Sequence, residues 1–273
     1  MILLTLIGCM TMDSFFFNGV AVDEYALGGD VIPEADVEQV SFETTDGWTD
    51  YGVWAHAEDP DAPVFVYFHG NADNIDHYWG PQEPGTIGRV EFYWQMGYNT
   101  FIFDYRGFGK TGGDPTFDTL LIDADSAVEY VMSATGKPSE DLYYHGLSLG
   151  GCAAVHAAAD HPPLALSTED MFANINMIVD EASDLDVPPG WFVESDWDNA
   201  AAAANVHVPY LIMNGDSDTY IDPGSAELVY AEANDPKMIW HPVGADHDTT
   251  PDVDPEGYAA HLSGWMSGAD WPQ

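Results

Sequence analysis

A chain of 273 residues that is 46% hydrophobic and 13% aromatic can bury one substantial core, which excludes a disordered acidic tail. Its 47 acids against five bases leave a formal charge of −42, which excludes nucleic acid as a partner, since phosphate neutralisation needs clustered Lys and Arg. No apolar run reaches the roughly 18 residues of a membrane-spanning helix.

The chain opens on MILLTLIGCM, an apolar stretch from Ile2 to Ile7 that closes on Gly8 and Cys9. Leu6-Ile7-Gly8-Cys9 resembles the lipobox of bacterial lipoprotein signal peptides, in which the cysteine is acylated and becomes the first mature residue. No Lys or Arg follows the start, a departure from the basic region that such signals carry. The resemblance implies a signal over residues 1–9, lipid attachment at Cys9 and a cell-envelope location, with membrane contact only through that anchor. The alternative is an ordinary N-terminal segment with Cys9 as a small hydrophobe. Residues 10–35 contain Gly and Pro without sustained periodicity and read as a tether, with Phe15, Phe16 and Phe17 packing against the domain. Cys152 is the second of two cysteines, and no pairing with Cys9 is expected across so long a distance.

Residues 36–270 read as one domain. VEQVSFETT and DYGVWAHA form an antiparallel opening pair around Asp46-Gly47. PVFVYFHG and NTFIFDYRG are continuous apolar runs, as buried central strands should be, with the short helix RVEFYWQMG between them. FDTLLIDADSAVEYVMSATG has helical spacing and stops at Gly136. DLYYHGLS is the next strand and LGGCAAVHAAAD its helix, followed by PLALSTE. VPYLIMNGD, GSAELVYAEA, KMIWHPV and YAAHLSGWMSG then give strand, helix, strand and closing helix. Alternation of this kind predicts an α/β fold: about eight strands in a mostly parallel sheet with helices on both faces. Residues 170–207 are too few for a large cap domain.

GLSLG, residues 146–150, places Ser148 between glycines at a strand end that opens a helix, the setting of a nucleophile elbow. Small residues suit that strained, tightly packed turn, and the helix aims its positive end at the serine. A base for the serine must sit on a loop after the last strand. His247 in HPVGADHDTT does, whereas His241 falls within the strand, His261 on the helix, and His145 in the elbow strand, where a core hydrogen bond suits it. The acid should follow the next-to-last strand and hold the imidazole tautomer. LIMNGDSDTYIDP offers Asp216, Asp218 and Asp222 there. Asp218 is far enough round the turn to reach across, Asp216 suits the turn itself, and Asp222 suits the following helix start.

The order Ser148, Asp218, His247 is similar to that of the α/β-hydrolases. HGNADN at 69–74 resembles the oxyanion loop of their esterase- and depalmitoylase-like branch, and DYRGFGKTGG at 104–113 the loop after the following strand. The resemblance spans residues 36–267. It implies an α/β-hydrolase fold and an oxyanion hole made by the backbone N–H groups of Asn71 and Leu149. It implies also a loop-fixing His69 and an Arg106 that pins the second loop through a carboxylate. A serine at the elbow differs from the Asp of dehalogenases and the Cys of dienelactone-type enzymes.

The expected activity is a serine hydrolase working through an acyl-enzyme on carboxylic esters or thioesters. A serine peptidase on the same fold and a non-catalytic binding lipoprotein are the alternatives. His77, Tyr78, Trp79, Trp191 and Phe192, with Trp197, are candidates for the acyl pocket. No cofactor is called for, and no metal: the histidines show neither HExxH nor CxxC spacing. With few cations available, neutral acyl substrates are expected. The net charge reads either as adaptation to salty surroundings, where screening relaxes self-repulsion, or as a plain acidic surface.

Overall fold

The computed structural model describes residues 16–28, 31–81, 86–175, 177 and 197–267, and in it the apolar runs join one sheet. Its strands are β1 (Val37–Glu43), β2 (Thr49–Ala55), β3 (Val64–Phe68), β4 (Asn99–Asp104), β5 (Leu142–Leu147), β6 (Ala165–Glu169), β7 (Tyr210–Met213) and β8 (Lys237–Trp240). They lie in the order β1-β2-β4-β3-β5-β6-β7-β8. β1 and β2 pair antiparallel, with Val37 opposite Ala55, and β2 runs antiparallel to β4. Every pairing from β4 through β8 is parallel.

Side chains alternate across this sheet as the two-residue period requires. Val64, Val66 and Phe68 of β3 enter one core, and Phe65 and Tyr67 the other. The described helices are α1 (Ile75–Trp79), α2 (Arg89–Gln95), α3 (Phe117–Thr135), α4 (Leu149–Asp160), α5 (Asn199–Ala203), α6 (Gly224–Glu232), α7 (Thr250–Val253) and α8 (Pro255–Met266). Residues of α3, α4, α5 and α6 fill the first core, and residues of α1, α2 and α8 the second. Thr116 and Thr119 cap the start of α3 reciprocally, and Gly136 ends it at φ 69°. That left-handed position favours glycine. Lys237 Nζ closes α6 by donating to the carbonyls of Tyr230 and Ala233, at 2.6 and 2.7 Å.

Three short helices, α1, α5 and α7, have no sequence periodicity to announce them. Each is about one turn, too short to be stable alone, and α1 and α5 are held by local side-chain caps. In α1 the Asn74 side chain accepts from Asp76 N at 2.9 Å, and in α5 the Asp198 side chain accepts from Ala201 N at 2.9 Å. The tether expected over residues 10–35 has a different form in its described part. Residues 16–28 are a strap laid on the domain, with Phe16 and Phe17 ring centroids 5.0 and 5.3 Å from that of Phe117. The strap pairs only through two isolated bridges, Gly19 with Asp73 and Ala21 with Gly109, which leaves no strand pattern to read. Cys9, Phe15 and the expected signal over 1–9 lie outside the described residues.

Arg106 pins the β1–β2 turn, donating through its two Nη groups to Asp46 at 2.7 and 2.9 Å and through Nε to Asp123 at 2.8 Å. Asp50 on β2 is fully buried nearby, and neither carboxylate oxygen has a hydrogen-bond partner. Burial, reinforced by Asp123 and opposed by Arg106, pushes its pKa up to about 8 from 3.8. The folded protein then holds a proton that the unfolded chain has released, so stability falls as pH rises from 3.8 to about 8. Asp50→Asn mimics the protonated form. Its unfolding free energy should match wild type near pH 4 and exceed it progressively up to pH 8, by about 1.4 kcal/mol per pH unit at most. Parallel pH–stability curves for the two proteins would contradict this.

Candidate active site

Ser148 sits where β5 turns into α4, with φ 50° and ψ −115°, a conformation L-residues avoid. Close packing enforces the turn. A Cβ on Gly146 would lie 2.3 Å from Gly150 O, and one on Gly150 would lie 1.9 Å from Phe68 O. Both neighbours are backbone and cannot rotate away. Gly150→Ala should therefore cost several kcal/mol, above the roughly 1–3 kcal/mol of ordinary overpacking. Gly264→Ala on α8 meets nothing within 4 Å and should be neutral or slightly stabilising. Urea midpoints check both, and a Gly150→Ala midpoint equal to wild type would show that the elbow tolerates a side chain.

Asp218 lies on the loop after β7, with its side chain fully buried. Its Oδ1 accepts from the backbone N–H groups of Tyr220 and Ile221, both at 2.8 Å. Its Oδ2 faces His247 Nδ1 at 2.9 Å and accepts from Asn214 Nδ2 at 3.2 Å. Three protein donors hold the carboxylate in one orientation, so it presents a fixed acceptor to the imidazole. His247 rides on the loop after β8. Burial pulls its pKa down, but the hydrogen bond to Asp218 and the charges of Asp170, Asp218 and Asp248 outweigh that, and its pKa is raised above 6.5.

Ser148 and His247 face a common cavity of about 180 Å³, shared with Asn71, Tyr78, Tyr220 and Asp248. The Tyr220 ring centroid lies 5.0 Å from that of His247. Asn71 reaches the cavity from the loop after β3, and Leu149 is buried beside Ser148 at the first turn of α4. Among the described residues no protein acceptor takes either backbone N–H. A helix N-terminus and two free amides beside a serine can stabilise an anion formed there.

The other sequence candidates separate. Tyr78 borders the cavity, but Trp79 is buried in the second core, and His77 stands beside Asp73 at 3.4 Å. Trp197 packs in the first core, its ring 3.8 Å from that of Phe117. Trp191 and Phe192 lie outside the described residues. Asp216 accepts from Gly244 N, and Asp222 from Gly224 N at the start of α6. His69 is fully buried at the start of the loop after β3, its Nδ1 2.8 Å from Gly70 O and its Nε2 3.4 Å from Asp104. His145 bonds Ser167 and Tyr258 in the core.

A second group of residues at the site has no sequence signal of its own. Arg89, on α2, is buried and donates to Glu169 at 2.8 Å, to Tyr258 at 3.0 Å and to Asp248. Burial would raise the Glu169 pKa, but the Arg89 charge and the His145 hydrogen bond hold it well below the usual carboxylate range. Asp170, fully buried at the end of β6, accepts from Gly215 N at 3.0 Å and from Asp248 N at 2.9 Å. It thereby ties the loop bearing Asp218 to the loop bearing His247. Burial, with Glu169 adding and His247 opposing, pushes its pKa up to about 8. Asp170, Asp218 and His247 place one polar atom each within 4.8 Å of one another. The one available clue was chemical: a buried arginine in so acidic a chain demands carboxylates.

Residues 90–168 match the family model described as serine aminopeptidase, S33. The chain is 29% identical over 232 residues to the uncharacterized protein YfhR of Salmonella typhi, covering 78% of this chain and 75% of that one. It is 28% identical over 216 residues to protein bem46 of Schizosaccharomyces pombe, covering 76% and 69%. Among solved structures it superimposes on the Pyrococcus furiosus esterase Pf2001 with a TM-score of 0.75 at 17% identity, covering 96% of this chain and 98% of that one. An acetyl xylan esterase from a Paenibacillus species gives 0.65 at 17% identity, covering 87% and 86%. The sheet order, the turn after β5 and these solved structures agree: the chain has the α/β-hydrolase fold.

Proposed function

We propose that the protein is a serine hydrolase that cleaves carboxylic esters or thioesters through an acyl-enzyme. Ser148 Oγ attacks the carbonyl carbon while His247 takes its proton, and Asp218 stabilises the imidazolium. The tetrahedral oxyanion rests on the N–H groups of Asn71 and Leu149, each worth roughly 2.7–4 kcal/mol in such sites. The leaving oxygen or sulfur takes the proton back from His247, and a water activated by the same imidazole releases the acid. The observation that carries this reading is the His247 Nδ1 to Asp218 Oδ2 contact of 2.9 Å, in a cavity shared with a serine at φ 50°. The base must be neutral to accept a proton. With its pKa raised above 6.5, kcat/KM should fall on the acid side with a half-point above 6.5.

Peptidase activity is the second reading, favoured by the description of the matching family model. An aminopeptidase must hold a free ammonium group. Asp248, a carboxylate at the cavity, is instead neutralised by Arg89. Esters and thioesters are therefore placed first. Parallel assays with p-nitrophenyl butyrate and an aminoacyl p-nitroanilide test the order. Ester turnover well above anilide turnover is expected, and cleavage of the anilide alone would reverse the assignment.

A further inference from the structure

We infer that the N-terminal strap is part of the oxyanion machinery, with Phe16 and Asn18 positioning Asn71 through its side chain. This rests on the reading of the Asn71 N–H as an oxyanion donor. The Asn71 side-chain amide bonds strap backbone through both its oxygen and its nitrogen. Its Oδ1 accepts from Asn18 N at 2.8 Å, and its Nδ2 donates to Phe16 O at 2.6 Å. An amide bonded on both edges is held against rotation, and Asn71 itself lines the cavity.

The same strap grips the rest of the oxyanion loop. Val20 N donates to Asp73 O at 2.7 Å, and Asn74 Nδ2 to Val20 O at 3.1 Å. Asp73 stands at φ 44°, a left-handed conformation that a neighbouring contact must hold. Further along, the N–H groups of Ala26 and Leu27 donate to the Asp76 carboxylate at 3.0 and 2.7 Å. Tyr25 OH donates to Asp104 Oδ2 at 2.5 Å, and Asp104 Oδ1 in turn accepts from Ile75 N at 3.0 Å. From Asn71 to Asp76 the chain is thus tied to a segment about fifty positions away in sequence, and only one of those ties, the Val20–Asp73 bond, joins main chain to main chain. A donor shifted by about 1 Å loses most of its value for a transition state.

Gly19 supplies a clean lever, because a Cβ there would lie 2.3 Å from Gly107 O and 2.8 Å from the Phe108 ring. Gly19→Ala should lift the strap, and Asn18→Pro removes the N–H that Asn71 accepts. Both are made in the full chain and assayed with p-nitrophenyl butyrate below their melting transitions. Each should lower kcat by about 10- to 100-fold and leave KM within about twofold. In an Asn71→Ala background, Asn18→Pro should cost no more than about a further twofold, since the link is already gone. Strap variants with wild-type kcat, or losses that multiply in the double variant, would overturn the inference while an active wild type keeps the hydrolase reading. A wild type without ester turnover would overturn both.

Discussion

Ser148→Ala is expected to lower kcat for p-nitrophenyl butyrate by roughly 10⁶-fold, the scale seen when a triad serine is removed, leaving only what binding and oxyanion donors supply. The reason is local. Ser148 is held at the elbow by its backbone, with its N donating to Glu169 O at 2.8 Å and its carbonyl accepting from Gly151 N at 2.9 Å. Neither bond uses the hydroxyl. Alanine should therefore keep the turn and its strain, and the unfolding midpoint should move by less than about 0.5 kcal/mol. Loss of activity with unchanged stability is the expected pair of results. Ester turnover that survives in the alanine variant would take Ser148 out of the mechanism.

Asp218→Asn should be the next most damaging change, at about 10⁴-fold in kcat, because an amide at this position favours the wrong imidazole tautomer. The expectation is sharpened by Asp170, a second carboxylate beside His247. Both oxygens of Asp170 already accept backbone N–H groups, from Gly215 and Asp248, so it is held in place as a tie between two loops. It should not take over from Asp218. Asp170→Asn places an NH2 group against one of those N–H donors and should loosen both loops, with a milder loss of kcat, about 10-fold to 10²-fold. An Asp218→Asn protein within tenfold of wild type would move the acid role to Asp170.

The strand-and-helix scaffold was legible because each core strand alternates between two buried faces, so apolar runs such as Val64–Phe68 are continuous and unmistakable. The positions of Ser148, Asp218 and His247 follow from the same pattern, since each lies on the turn or loop that follows a parallel strand. What remained hidden was contact between segments that no periodicity links. Arg89 looks like one polar position on a short aromatic helix, and only the fold brings it to Glu169 and Asp248. Asp170 ends a strand, yet its meaning depends on β6 lying beside β7, which fixes where Gly215 and Asp248 fall. The strap has the sequence of a tether because its ties to the loop after β3 run mostly through side chains, among them Asn71, Asn74 and Asp76. Of the aromatic pocket candidates, Tyr78 borders the cavity while Trp79 and Trp197 fill core, since a large ring packs in a core as readily as beside a cavity.

Covalent labelling reaches the nucleophile without any assumption about the natural substrate. A fluorophosphonate probe should modify the folded protein once, peptide mass mapping should place the adduct on residue 148, and acidification that protonates residue 247 should slow the reaction. An adduct on another side chain, or a protein that turns over esters yet resists the reagent, would contradict an activated alkoxide at the β5–α4 turn.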